Sequence, residues 1–261
     1  EWAEHVRRAQ RDNIIAVQSM VAEGVRDGSI APTDPALTGI AVLSIVEWMT
    51  FWYSPRLSYP RERIIELFRD VIVNGITPPD ARPFEVPVIT PAFPPAPAPD
   101  PFDREAISAL KLERFLKVAM ESFNRIGVHA TSIDQCAREL NLTKGAFYYY
   151  FENKEELLYR CYKRALAFNW TAATHLQPRD PVEREVLWRR SLFERHVSEH
   201  GPFPTYHHVT FLAPAHRDEI MAELMKQQAA DVKIVGDAIE AGFYRRVEPF
   251  LAEKVRAGLT N

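Results

Sequence analysis

Residues 130–158 read ATSIDQCARELNLTKGAFYYYFENKEELL, and the fold turns on how this stretch is interpreted. Thr131 is expected to cap a short helix from Ile133 to Leu140, whose apolar positions Ile133, Cys136, Ala137 and Leu140 share one face. Asn141 follows where a left-handed turn residue is needed, since its short side chain tolerates positive φ. Thr143 then caps a second helix from Lys144 to about Tyr150. Ala146, Phe147 and Tyr150 can point inward there, while Thr143, Lys144, Gly145, Tyr148 and Tyr149 face out. Two short helices joined by a tight turn form a helix-turn-helix.

From Leu110 to Leu158 the sequence resembles the DNA-binding domain of the tetracycline-repressor (TetR) family of transcription regulators. A first helix, Ala106 to Ile126 with Phe115, Ala119 and Phe123 inward, leads through Gly127 to Thr131. The run TKGAFYYYF from Thr143 to Phe151, then Lys154 and Leu157, follows the family pattern nearly position by position. Cys136 stands where the family has an aliphatic residue and Asn141 where it has glycine, and both suit the structural roles of those positions.

The resemblance implies an all-α fold, with a three-helix helix-turn-helix domain and a helical-bundle regulatory domain. It implies a sequence-specific regulator, a ligand-responsive repressor in the cytoplasm. The second short helix would enter the major groove, with Lys144 and the edges of Thr143, Gly145 and Tyr149 reaching bases. Thr131, Ser132, Tyr148 and Lys154 would hold phosphates and so place the reader. Two half-sites about 34 Å apart are needed for useful affinity, so the DNA partner would be a pseudo-palindromic operator and the protein a dimer or pseudo-dimer.

Composition agrees with a reader confined to one face. The 261 residues carry a formal charge of only −3, yet Arg104 to Arg164 holds eleven Lys and Arg against eight Asp and Glu. Cys136 and Cys161 provide no disulfide framework and read as small buried apolar residues. The apolar run Ala36 to Tyr53 is about the minimum length for a membrane span, but it carries Glu47 and reads as a buried bundle helix.

Taken from residue 1, an amphipathic helix is expected from Trp2 to Gly24, ended by the glycine. Asp34-Pro35 caps the apolar helix, and another runs from about Arg61 to Gly75. Between Pro78 and Pro101 lie ten of the twenty prolines, the composition of a semi-extended linker. Past the reader, Asn153 and Glu156 form a capping-box pattern for a helix to about His175. Further helices are expected near Val182 to His200, Tyr206 to Leu212, Ala215 to Ala241, and from Glu248-Pro249 onward.

Sliding Glu1 to Gly24 onto Glu219 to Gly242, at an offset of 218, matches Val6 with Leu224, Ile14 with Val232, Val17 with Val235 and Val21 with Ile239. Removing four turn residues then pairs Asp34-Pro35 with Glu248-Pro249 and Leu37 with Leu251. The first segment therefore resembles the end of a TetR-type regulatory domain, and the chain reads as an interior piece of a tandem, two-reader regulator. Its expected divisions are 1–76, C-terminal helices of a first regulatory domain; 77–103, linker; 104–152, reader; and 153–261, a C-terminally incomplete effector domain. Helices 36–53 and 61–75 would pair with a second chain or dock back within this one.

Trp170, Trp188, Phe193, Tyr206 and Phe211 are the bulky candidates for the wall of an effector pocket, and a core role fits each equally well. His196, His200, His207 and His208 lack the second fixed pair that a metal site needs, so no metal or cofactor is expected. Nor is a nucleophile with its base, a phosphate loop or a zinc pattern present, which argues against an enzyme. The competing expectation is a helical ligand-binding or interaction module that no longer binds DNA.

Overall fold

The computed structural model describes residues 2–53, 59–78, 102–175, 178–198 and 201–258, and the regular structure within them is helical. In chain order the helices are α1 (Trp2–Asp27), α2 (Pro35–Trp52), α3 (Arg61–Asn74), α4 (Arg104–Ile126), α5 (Ile133–Glu139), α6 (Lys144–Tyr150), α7 (Lys154–His175), α8 (Pro181–His196), α9 (Pro214–Glu240) and α10 (Pro249–Gly258), with a 3-10 turn at Tyr206–Phe211. The expected linker falls mainly on residues 79–101, outside the described residues. Two compact units emerge: Glu1–Ala81 with Val235–Asn261, and Arg82–Ile234.

In the first unit α1 runs through Gly24 and stops three residues later, correcting the expected boundary. A Cβ on Gly24 would lie 2.6 Å from Ile30 Cδ1, and the Ile30 N–H donates to the Gly24 carbonyl at 2.9 Å. Gly24 thus makes room for the returning chain, and Gly28, at φ +82°, reverses it. The end of α9 repeats this turn. Gly242 has φ +78°, and the Tyr244 N–H donates to the Ala238 carbonyl at 3.2 Å.

The two turns reset the internal repeat. A constant offset of 214 residues pairs Gly28 with Gly242, Ile30 with Tyr244, Asp34-Pro35 with Glu248-Pro249 and Leu37 with Leu251, with nothing removed. Both following helices are capped alike: Asp34 Oδ1 accepts from the Leu37 N–H at 2.9 Å, and Glu248 Oε2 from the Leu251 N–H at 2.7 Å. The offset of 218 fails because apolar helix positions recur nearly every four residues, so a one-turn slip preserves much of the pattern.

The second copy of this helix, α10, packs on the first copy and on its neighbour. Ile45 of α2, Ile64, Leu67 and Phe68 of α3, and Leu251 and Val255 of α10 form one buried cluster. Trp52 stacks on Phe68 at 6.0 Å and Tyr59 on Phe250 at 5.7 Å. On its other side α2 approaches α1 so closely that a Cβ on Gly39 would lie 2.8 Å from Gln18 Cγ. An apolar helix with helical neighbours on two sides has no need of lipid, and among the described residues no helix is long and apolar enough to cross a membrane.

The second unit contains α4 to α8, the 3-10 turn and most of α9. Its core runs from Phe115, Leu116, Ala119 and Phe123 of α4 through Phe147 and Phe151 to Leu157, Leu158, Cys161 and Tyr162 of α7, then to Val209, Leu212 and Ile220. Asp103 caps α4 by accepting from the Ala106 N–H at 2.9 Å, so that helix starts slightly earlier than expected. Asn153 Oδ1 accepts from the Glu156 N–H, and Glu156 Oε2 accepts from the Glu152 N–H, one residue before the expected donor. Both cysteines are free and buried, and burial pushes both thiols up.

Candidate nucleic-acid interface

The inner face of α6 is sealed by rings. Phe147 is fully buried, 6.2 Å from Phe115 and 5.1 Å from Phe151, and Tyr150 places its hydroxyl 3.0 Å from Ser108 Oγ on α4. With that face fixed, the opposite one must point outward. Tyr148 is 53% exposed and Tyr149 79%, and Thr143 and Gly145 are exposed beside them. Lys144 takes the first position of α6, and its side chain lies outside the described residues.

The turn before α6 holds this orientation. Asn141 has φ +56°, the left-handed conformation expected of it. The Leu142 N–H donates to the Ala137 carbonyl at 2.8 Å and the Asn141 N–H to the Arg138 carbonyl at 2.9 Å. Thr143 Oγ1 then accepts from the Ala146 N–H at 3.3 Å, so the expected cap forms. At Gly145 an added Cβ would meet only Thr143 Oγ1, at 3.8 Å. Among the described residues no packing requires a glycine there, and Gly145 is exposed.

Two of the expected phosphate-holding residues have partners within the protein. Thr131 is 2% exposed; its hydroxyl donates to the Gly127 carbonyl at 2.9 Å, and its N–H goes to the same carbonyl. Gly127, at φ +83°, reverses the chain after α4, and Thr131 closes that reversal, so its hydroxyl turns inward. The cap of α5 is Ser132, whose Oγ accepts from the Gln135 N–H at 3.4 Å. Lys154 Nζ donates to the carbonyls of Val128 and His129 at 2.9 and 3.2 Å, tying the start of α7 to the turn between α4 and α5. The outward face therefore comprises Ser132, Thr143, Gly145, Tyr148 and Tyr149, with the backbone of Lys144.

The five aromatic pocket candidates stand in different surroundings where their side chains are described. Phe193 is 68% exposed, Trp188 is half-buried, and the side chain of Trp170 lies outside the described residues. Tyr206 donates its hydroxyl to Met221 Sδ at 3.4 Å, while Phe211 packs edge-on to His129 at 4.9 Å. A core role is what the surroundings of Phe211 describe. Among the histidines, His196 is exposed, His200 lies outside the described residues, and His208 is buried against Phe123 and His207. Burial pulls the His208 pKa down to about 4. Among the described residues no group of three His, Cys, Asp or Glu could hold a metal ion.

Residues 115–161 match the family described as bacterial regulatory proteins, tetR family, and residues 1–76 match the tetracyclin repressor-like C-terminal domain. Both stretches are similar to TetR-type regulators. The order of the matches, a C-terminal domain ahead of a DNA-binding module, is consistent with the tandem arrangement expected from the repeat.

The chain is 50% identical over 40 residues to the transposon Tn10 TetC protein of Escherichia coli, covering 15% of this chain and 20% of that protein. It is 44% identical over 48 residues to the uncharacterized HTH-type transcriptional regulator YerO of Bacillus subtilis (strain 168), covering 18% of this chain and 17% of that protein. The matches thus span about a fifth of the length of these curated relatives. Among solved structures, the TetR-family transcriptional regulator PfmR from Thermus thermophilus aligns with a TM-score of 0.47 at 26% identity, over 56% of this chain and 84% of that one.

Proposed function

We propose that the chain is a sequence-specific DNA-binding transcription regulator of the TetR type, acting as a ligand-responsive repressor in the cytoplasm. One observation carries the reading: α6 is anchored by a fully buried Phe147 while Thr143, Gly145, Tyr148 and Tyr149 stand exposed on its far side. Tyrosine rings of this size are left in water at a cost unless a partner covers them, and a helix tip with a bare glycine suits close approach to base edges. Lys144 and Tyr149 would choose the sequence, while Ser132 and Tyr148 would position the helix on phosphates.

The proposed divisions are 1–76, 77–103, 104–152 and 153–261, the first and last being parts of two regulatory domains. The packing of α10 on α2 and α3 supports an intrachain pseudo-dimer of those domains, with a homodimer through the same helices as the alternative. Its DNA partner would be a pseudo-palindromic duplex. The proposed role of the chain is that of a regulator and not of an enzyme.

Selection of bound duplexes from a random pool, followed by titration of the selected sequence, tests this directly. Lys144→Ala and Tyr148→Ala should each weaken binding while helicity is retained, and affinity should fall steeply with salt. Failure to select any sequence, with a flat salt dependence, would favour an interaction module that has lost DNA binding.

A further inference from the structure

Arg195, in the last turn of α8, is 2% exposed. Its guanidinium sits in the corner made by two rings that meet edge to face, 4.2 Å from the Phe168 centroid and 4.5 Å from that of Phe203, the rings themselves 6.0 Å apart. Aromatic faces attract the charge, but they are poor substitutes for oxygen acceptors at its N–H groups. Nε and Nη1 are accordingly buried without a hydrogen-bond partner.

The nearby carboxylate does not resolve this. Glu113 favours the charged form of Arg195, but it is held by Arg164, whose Nε lies 2.6 Å from Glu113 Oε2. Desolvation and the Arg164 charge together pull the Arg195 guanidinium down to about 10, so the charge is held against its surroundings. A buried cation with open donors is unfavourable until an anion meets it. One residue beyond Phe168, the amides of Asn169 and Gln227 bond to each other at 3.2 Å, leaving Asn169 Oδ1 and Gln227 Nε2 buried and unpaired. Orphaned polar atoms therefore adjoin α7 at two consecutive positions.

We propose that Arg195 anchors the carboxylate of a small organic acid whose apolar body lies beside Phe168 and Phe203. The inference rests on the reading of the chain as ligand-responsive and names the chemical class of that ligand. A carboxylate matches the planar guanidinium and carries one charge against one open cation. Inorganic phosphate is more heavily hydrated and brings no apolar surface, so the ring-lined corner disfavours it.

Octanoate is the probe, with octan-1-ol as its uncharged counterpart and inorganic phosphate as its hydrated one. Thermal unfolding of the full chain without DNA should show stabilisation that grows with octanoate and is absent with the other two at equal concentration. Arg195→Met should weaken octanoate by at least about tenfold, the scale of a lost charge-assisted hydrogen bond. Should Arg195→Met fail to fold, Arg195→Lys keeps the charge without the fork and should still bind octanoate less tightly. Equal stabilisation by octanol or by phosphate, or unchanged octanoate affinity in the variant that folds, would overturn the assignment. Operator binding measured without octanoate is a separate readout: its loss sinks the regulator reading and leaves the Arg195 result standing, and the reverse outcome spares the reader.

Discussion

Arg245 Nη2 lies 3.0 Å from Asp70 Oδ2, linking the turn before α10 to α3 across 175 residues of sequence. The same guanidinium reaches the Gly75 carbonyl, and the Arg245 N–H donates to the Ile76 carbonyl at 2.8 Å. Arg245→Ala should therefore speed hydrogen exchange of the α10 amides. The ion pair is largely solvated, so a few-fold change is the scale expected. A hydrogen bond from Asn74, then one from Arg245, hold the Asp70 carboxyl below its usual range. Its stabilising contribution is thus present above the ordinary carboxylate pKa and fades as pH falls through the depressed value. Thermal unfolding below pH 4 should show a shallower acid loss in Arg245→Ala than in the parent chain.

Asn141 tests the turn of the reader. With φ +56°, replacement by valine forces a β-branched residue into the left-handed region, at about 1–2 kcal/mol. Asn141→Gly removes that cost and should be nearly neutral. Denaturant unfolding of the two variants measures the difference.

The two faces of α6 should separate stability from binding. Phe147→Ala empties a fully buried site and should cost about 3–5 kcal/mol. Tyr149→Ala, on the exposed side, should stay within about 0.5 kcal/mol of the parent in stability. Its loss should appear in the affinity for the selected duplex, measured by mobility shift.

His208 makes stability depend on pH. Its pKa is drawn from 6.5 to about 4 by burial, so between those values the unfolded chain binds a proton that the folded chain does not. Stability should therefore fall as pH is lowered from about 6.5 toward 4. His208→Phe should flatten that slope, because phenylalanine takes up no proton. Urea unfolding at several pH values in this window decides the matter.

The helix-turn-helix was legible in the sequence because its signals are local. Asn141, Thr143 and the run to Tyr150 each act within one or two turns of helix, and α6 spans the residues expected of it. Thr131 was misplaced because neighbouring Thr and Ser are both good caps, and only the reversal at Gly127 settles which one turns inward. The repeat was visible but slipped by one turn, since the bond that fixes its register, Ile30 to Gly24, joins residues whose types give no sign of it. Arg195 left no trace at all. Its burial depends on Phe168 and Phe203, contacts that no spacing within α8 encodes. The aromatic pocket candidates could not be sorted from the sequence for the same reason: size and apolarity mark a core residue and a pocket wall alike, and nothing local foretold that Phe193 is 68% exposed.

The seating of α10 on α2 and α3 has a consequence for copy number. Because all three helices belong to one polypeptide, their encounter is governed by the tether and not by how many molecules the cell holds. Dilution, which dissolves an assembly of separate subunits, leaves this contact intact.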